Sequence, residues 1–165
     1  MRRVLRAAVE TGVVTRPYPF VPSEVPPGFR GRPRIDFDNC IGCGACASAC
    51  PPNAITIEEG DGFRRISLFL GRCNFCARCE EVCPVKAVKM TGEFELSSNN
   101  KEDLCQILEL KMVRCSVCGR FFATERELKR AKEELEKKGM RVEEIVMCPE
   151  CRERASANLE SLARR

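Results

Sequence analysis

Histidine is absent from this chain of 165 residues, and so is tryptophan; tyrosine occurs once. Without an imidazole there is no His general base, no His-containing triad and no imidazole ligand for a metal. No apolar run approaches the roughly 18 residues that a membrane-crossing helix needs. The basic start, MRRVLRAAVETG, lacks the apolar stretch of a secretory leader, so export is not expected. Nine Phe and one Tyr offer little aromatic bulk for a core. Modules this small bury little apolar surface, so bound metal is expected to supply much of their stability.

Cysteine is what the chain has in excess, with thirteen residues. In a secreted protein that density would suggest disulfides. Here the count is odd and the cysteines fall into runs of metal-binding type, which points to reduced thiolates in a cytosolic setting. The formal charge of +4 divides into +3 over residues 1–39, −3 over 40–110 and +4 over 111–165. Metal-bound thiolates would bring the loaded chain to about −2. A basic surface for nucleic acid is therefore not expected.

Two cysteine runs share one spacing: Cys40, Cys43, Cys46 and Cys50-Pro51, then Cys73, Cys76, Cys79 and Cys83-Pro84. This is the bacterial spacing for [4Fe–4S] clusters, complete twice. Zn or disulfides would be the bland alternative, but two full matches closed by Pro disfavour it. Cys43 and Cys76, the second members, also disfavour a [3Fe–4S] variant. In two-cluster ferredoxins the fourth cysteine of a run ligates the other cube. Cys40, Cys43, Cys46 and Cys83 are therefore assigned to one cluster, and Cys73, Cys76, Cys79 and Cys50 to the other. Gly42 and Gly44 relieve crowding in the first loop. Arg72 and Arg78 lie near the second cluster, as tuning charges or, more simply, as surface charges.

The runs belong to an internal repeat over residues 40–91 with a 33-residue offset. Each half reads as a cysteine loop, a short helix and a strand. Gly60-Asp61-Gly62 marks a turn between strands at 55–58 and 65–70, and residues 93–96 suggest one more short strand. Ahead of the repeat, residues 2–10 pattern as an amphipathic helix, with Val4, Leu5, Ala8 and Val9 opposite Arg2, Arg3 and Arg6. An extended, proline-rich arm follows over 15–34, since Pro17, Pro19, Pro22, Pro26, Pro27 and Pro33 forbid regular helix. Residues 101–112 read as a helix with Asn100 as N-cap and Cys105 buried beside Leu104 and Leu108; the other reading of Cys105 is a reactive thiol.

A third unit contains Cys115, Cys118, Cys148 and Cys151, two C-x2-C knuckles separated by 29 residues. That is a tetrahedral four-sulfur signal. Zn is favoured over a rubredoxin-like mononuclear Fe, because a helix is inserted between the knuckles and Trp and Tyr are missing there. The helix is expected over 125–138, with Thr124 and Glu127 at capping-box spacing and Gly139 after its end. Its Glu, Lys and Arg residues read as a solvated face rather than a nucleic-acid contact. Residues after Arg152 read as helical or frayed.

The expected architecture is α+β. An N-terminal helix and docking arm (1–34) precede a two-[4Fe–4S] ferredoxin domain (35–97). A linking helix (98–112) and a zinc-ribbon-like module (113–165) follow. Beyond the clusters, Gly12-Val13-Val14-Thr15, Tyr18-Pro19 and Phe29-Arg30-Gly31-Arg32-Pro33 resemble the ferredoxin-type subunit of respiratory complex I. They are closer still to its counterpart in membrane-bound group 4 [NiFe] hydrogenases and formate hydrogenlyase. Cys79-Glu80-Glu81-Val82-Cys83-Pro84 is common to both. Val117, Arg120-Phe121-Phe122-Ala123 and Cys148-Pro149-Glu150-Cys151 resemble the zinc-ribbon extension of the hydrogenase branch.

The resemblance implies a non-catalytic electron-transfer subunit on the cytoplasmic side, peripheral to the membrane. It would pass electrons between a ferredoxin-like donor and the cluster-bearing small subunit, next to a large [NiFe] subunit. Two related alternatives remain, a sulfur- or quinone-reducing membrane complex and a free soluble ferredoxin. A nucleic-acid-binding redox sensor is the most remote reading.

Overall fold

The computed structural model describes residues 2–15, 18–139 and 143–163. Pro17, part of the expected arm, and the last two residues of the tail lie outside them. The N-terminal helix α1 spans Arg2–Thr11, and none of its residues is buried. Glu10 accepts from Arg6 at 2.8 Å one turn earlier, while Val4, Leu5 and Val9 face solvent. Gly12, at φ +63°, closes the helix by donating to Ala8 O.

Over residues 18–29 the arm forms no helix or strand, only turns at 18–20 and 27–28, and is mostly exposed; the Phe29 ring meets Phe94 edge-to-face at 6.0 Å. Gly31 N then donates to Thr91 O and Arg32 N to Glu93 O, each at 2.8 Å. The arm ends in strand β1 (Pro33–Ile35), antiparallel to β4 (Val88–Met90). Residues 93–96 form no strand, although the carbonyl of Glu93 is used by the arm in this ladder-like contact.

Between β1 and β4 lie the two repeats. Helix α2 (Ala45–Ser48) leads to β2 (Ile55–Gly60), and α3 (Arg78–Glu81) leads to β4. The pseudo-symmetry reaches the backbone angles. Left-handed residues recur 33 positions apart: Gly42 and Phe75, Gly44 and Ala77, Asn53 and Lys86. The first loop uses glycine where the conformation demands it. The second holds Phe75 at φ 55° and Ala77 at φ 66° against a cost of about 1–2 kcal/mol each.

Strand β2 turns through Asp61-Gly62 into β3 (Phe63–Phe69). The helix expected over 101–112 is not formed. A short 3-10 turn, Lys101–Leu104, uses Asn100 as its cap, and then β5 (Cys105–Arg114) runs antiparallel to β3. The physical reason is burial on alternate residues: Leu108, Leu110 and Met112 point to one side of a strand, and Ile66 and Leu68 of β3 are waiting there. Tertiary pairing outweighs a weak helical pattern. Cys105 is consequently neither helical nor buried; it is exposed, with Sγ donating to Lys101 O at 3.6 Å.

β5 passes at a bulge near Val113 into pairing with β6 (Phe121–Thr124), giving one four-stranded sheet in the order β2-β3-β5-β6. This sheet crosses the boundary expected near residue 112. Gln106 links it to the small sheet, its side-chain amide accepting from Ile35 N at 3.0 Å and donating to Pro33 O at 2.9 Å. Helix α4 spans Glu125–Lys137, capped by Thr124 at the expected position and followed by Gly139 at φ 68°. Arg130 pairs with Glu134 on its exposed face, as the solvated reading required. Helix α5 (Pro149–Ala163) completes the described chain. The main core joins Ile35, Ala54, Ile55, Ile66, Leu68, Ala87, Val88, Leu108 and Leu110 to Cys40, Cys46 and Cys79.

Candidate metal centres

The two cysteine loops stand side by side, each followed by its one-turn helix. Cys40, Cys46 and Cys79 are buried, Cys50, Cys73, Cys76 and Cys83 are half-buried, and Cys43 is exposed. Backbone amides aim at the sulfurs in matching pairs: Ala54 N donates to Cys50 Sγ at 3.2 Å and Ala87 N to Cys83 Sγ at 3.1 Å. Phe75 N donates to Cys73 Sγ at 3.4 Å. Such donors stabilise negative charge on sulfur and tune any cluster it holds.

The electrostatics show which thiols are neighbours. Burial raises the Cys40 pKa; a hydrogen bond from Gly42 N and the charge of Arg126 oppose this, while Cys43 and Cys83 reinforce it. For Cys73 burial again dominates, and the neighbouring thiols are Cys50 and Cys76. Each fourth cysteine therefore lies beside the opposite run. Burial pushes Cys46 up to about 12 and Cys79 to about 11, with Cys79 among the charges felt by Cys46. These third cysteines lie where the two sites meet, away from water. Thiols so unwilling to ionise alone suit a centre whose iron supplies the compensating charge.

Residues 115–151 differ in kind. The four sulfurs of Cys115, Cys118, Cys148 and Cys151 all lie within 4.8 Å of one another. Cys118 Sγ and Cys148 Sγ are 3.7 Å apart, against an edge of about 3.8 Å for a tetrahedron with metal–sulfur bonds of about 2.3 Å. Among the described residues, the eight thiols of the two runs form no such tight set of three or more. The donor set of the third centre thus fits one ion, and the wider spacing of the runs fits polynuclear cubes.

Val117 N and Cys148 N donate to Cys115 Sγ at 3.5 and 3.3 Å. Hydrogen bonds from the Cys118 and Cys148 amides are the main reason the Cys115 thiol is held down to about 6. Gly119 turns the first knuckle at φ +72°, and Arg120 bridges to Glu150 in the second through a forked pair at 2.5 and 3.2 Å. The exposed Arg78 pairs with Glu81 at 2.8 Å, so the surface-charge reading of Arg78 is the one the geometry favours.

Contacts of the first cysteine loop with β3 and with the corner between β6 and α4 were not foreseen from sequence. Arg64, 12% exposed, donates to Gly42 O at 2.8 Å and is held by Glu59. Thr124 donates to Ile41 O, and Arg126 reaches the carbonyls of Phe37, Asp38 and Cys40. The capping-box spacing had marked Thr124 as a helix cap only.

The 4Fe-4S dicluster domain family matches residues 39–87. Formate hydrogenlyase subunit 6 of Escherichia coli (strain K12) is 39% identical over 155 residues, 90% of this chain and 86% of that protein. NADH-quinone oxidoreductase subunit I 2 of Geobacter metallireducens is 37% identical over 106 residues, covering 58% of this chain and 81% of that one. A chain in the structure of the membrane-bound sulfane sulfur reductase (MBS), an archaeal respiratory membrane complex, aligns with TM-score 0.47 and 26% identity over 61% of this chain and 56% of that chain. The chain belongs to the family of two-cluster, ferredoxin-type electron-transfer subunits that includes formate hydrogenlyase subunit 6.

Proposed function

We propose that this protein is the electron relay of a membrane-bound, hydrogenase-type oxidoreductase complex. The carrying observation is the extent of the likeness to formate hydrogenlyase subunit 6, which takes in far more of the chain than the cluster segment. A free ferredoxin would need only the central module.

The clusters supply one-electron acceptance and release without bond-making on a substrate. The chain supplies everything else. Cys40, Cys43, Cys46 and Cys83 hold one cluster, and Cys73, Cys76, Cys79 and Cys50 the other. The neighbour pairs Cys40–Cys83 and Cys50–Cys73 support this crossing. Buried Cys46 and Cys79 keep water from the space between the sites. The exposed Cys43 leaves the first site open to a partner.

Among the described residues no helix is long and apolar enough to cross a membrane. Attachment is therefore assigned to α1 and the arm, where Val4, Leu5, Val9, Val13, Val14 and Phe20 expose apolar side chains with nothing packed over them. The subunit sits peripherally on the cytoplasmic face. It carries electrons between a ferredoxin-like donor and the small, cluster-bearing subunit beside a large [NiFe] subunit. The third centre holds Zn in Cys115, Cys118, Cys148 and Cys151 and acts as a structural staple, because four sulfurs close the coordination sphere.

Isolation from membranes under mild detergent tests the proposal. The expected result is about eight Fe and one Zn per chain, with a [NiFe] subunit co-purifying. Nine Fe without Zn would overturn the zinc assignment. A soluble chain without companions would overturn the complex.

A further inference from the structure

The corner where β6 turns into α4 reaches back across more than eighty residues to the first cysteine loop. Thr124 Oγ1 donates to Ile41 O and accepts from Glu127 N at 3.1 Å, so one buried hydroxyl both caps α4 and ties it to the loop. Arg126 Nη1 donates to Phe37 O, and to Asp38 O and Cys40 O at 3.2 Å each. Three carbonyl dipoles converge on one guanidinium. Among the described residues no carboxylate pairs with Arg126, so its exposed guanidinium is screened by water and these carbonyls but not neutralised by an ion pair. Arg64 contrasts with it, being bound by Glu59 at 2.6 Å and close to Glu127 at 3.5 Å.

The second loop has no equivalent. The repeat places Leu70, Gly71 and Cys73 where the first has Phe37, Asp38 and Cys40. Among the described residues, no side chain donates to those three carbonyls. The nearby Arg78 has Glu81 as its counter-charge. The repeat is thus symmetric in backbone and asymmetric in this carbonyl clamp: Arg72 adjoins Cys73 but, among the described residues, donates to none of those carbonyls.

We propose that Arg126 is a positioning residue for the cluster held by Cys40, Cys43 and Cys46: it clamps their loop and, through its unneutralised charge, raises that cluster's reduction potential relative to a loop without it. The inference rests on the two-cluster reading above. Reduction adds one electron to the cluster and breaks no bond. A cation beside the loop favours the more negative, reduced state. The module carrying the third metal thereby acts on electron flow without lying on its path.

The test is a redox titration of the full metal-loaded chain, followed by electron paramagnetic resonance. Wild type, Arg126→Gln, Arg126→Lys and the control Arg78→Gln are compared. The first-run couple is identified by its sensitivity to Cys43→Ser. Arg126→Gln is expected to lower the midpoint of that couple and leave the other in place. Arg126→Lys restores it toward the wild-type value, and Arg78→Gln moves neither. Unshifted couples, or an equal shift of both, overturn the proposal. If Arg126→Gln sheds iron, Thr124→Val carries the test, since it cuts the second tie without touching charge. It is expected to hasten iron release from the first-run cluster alone, and equal loss from both overturns the clamp. A wild type without two one-electron couples would instead sink the two-cluster reading.

Discussion

Gly42→Ala is expected to damage the first cluster site far more than the same change elsewhere. Gly42 is buried at φ +79°, where an L side chain costs about 1–2 kcal/mol. A Cβ there would also lie 2.6 Å from Leu110 Cδ1 and 2.8 Å from Thr124 Cγ2. Thr124 has no exposed surface and is fixed by its two hydrogen bonds, so it has nowhere to move. Overpacking of this kind adds about 1–3 kcal/mol. Gly119 is the control: its φ is +72°, yet an added Cβ meets nothing within 4 Å. The difference between the two variants isolates the packing between the first loop and the C-terminal module. About 1–3 kcal/mol corresponds to roughly 5- to 150-fold in the opening equilibrium. The assay is release of iron to a chelator across a denaturant series, read by visible absorbance and metal analysis. Gly42→Ala is expected to release about half of the iron at markedly lower denaturant. If Gly42→Ala and Gly119→Ala behave alike, the loop is not seated against Leu110 and Thr124, and the clamp argument fails with it.

Three further outcomes are expected. Cys83→Ser should impair the cluster built on Cys40, Cys43 and Cys46, and Cys50→Ser the other one; spectra showing damage to the cysteine's own run would refute the crossing. Metal uptake by the stripped third centre should weaken as pH falls, because its thiols must shed protons to bind, Cys115, held down to about 6, readily and Cys151, pushed up to about 12, reluctantly; zinc titration at stepped pH measures it, and a flat response would contradict binding as thiolates. Gly31→Ala should loosen the arm, since its Cβ would lie 2.6 Å from the backbone oxygen of Thr91; the expected result is faster proteolysis before residue 31 with iron content unchanged, and unaltered proteolysis would show that the arm is held elsewhere.

The cysteine loops were legible because their information is local. Spacing alone places Cys40, Cys43 and Cys46 on one loop, and a 33-residue repeat announces a second loop of the same shape. The α4 cap and its glycine stop were legible for the same reason. Residues 105–112 were not. Leu104, Ile107 and Leu108 fit a helical face, whereas Leu108, Leu110 and Met112 fit a strand. Only the presence of β3 decides between them. Thr124 and Arg126 show the second kind of gap. Their partners, Ile41 and Cys40, are more than eighty residues away and are carbonyls, which every residue possesses. A side chain that binds backbone leaves no complementary letter in the sequence.

The replacement of the expected linker helix by β5 carries a consequence for how the chain can be cut. β3 is an interior strand, sealed on one side by β2 and on the other by β5. A fragment ending near residue 97 would keep all eight thiols of the two runs and still turn β3 into an open edge. Ile66 and Leu68 would lose their cover, and a row of unpaired amides would face solvent beside them. Such edges recruit other strands. The smallest well-behaved two-cluster unit of this protein therefore extends at least through Arg114, and shorter versions are expected to associate with one another before they lose iron.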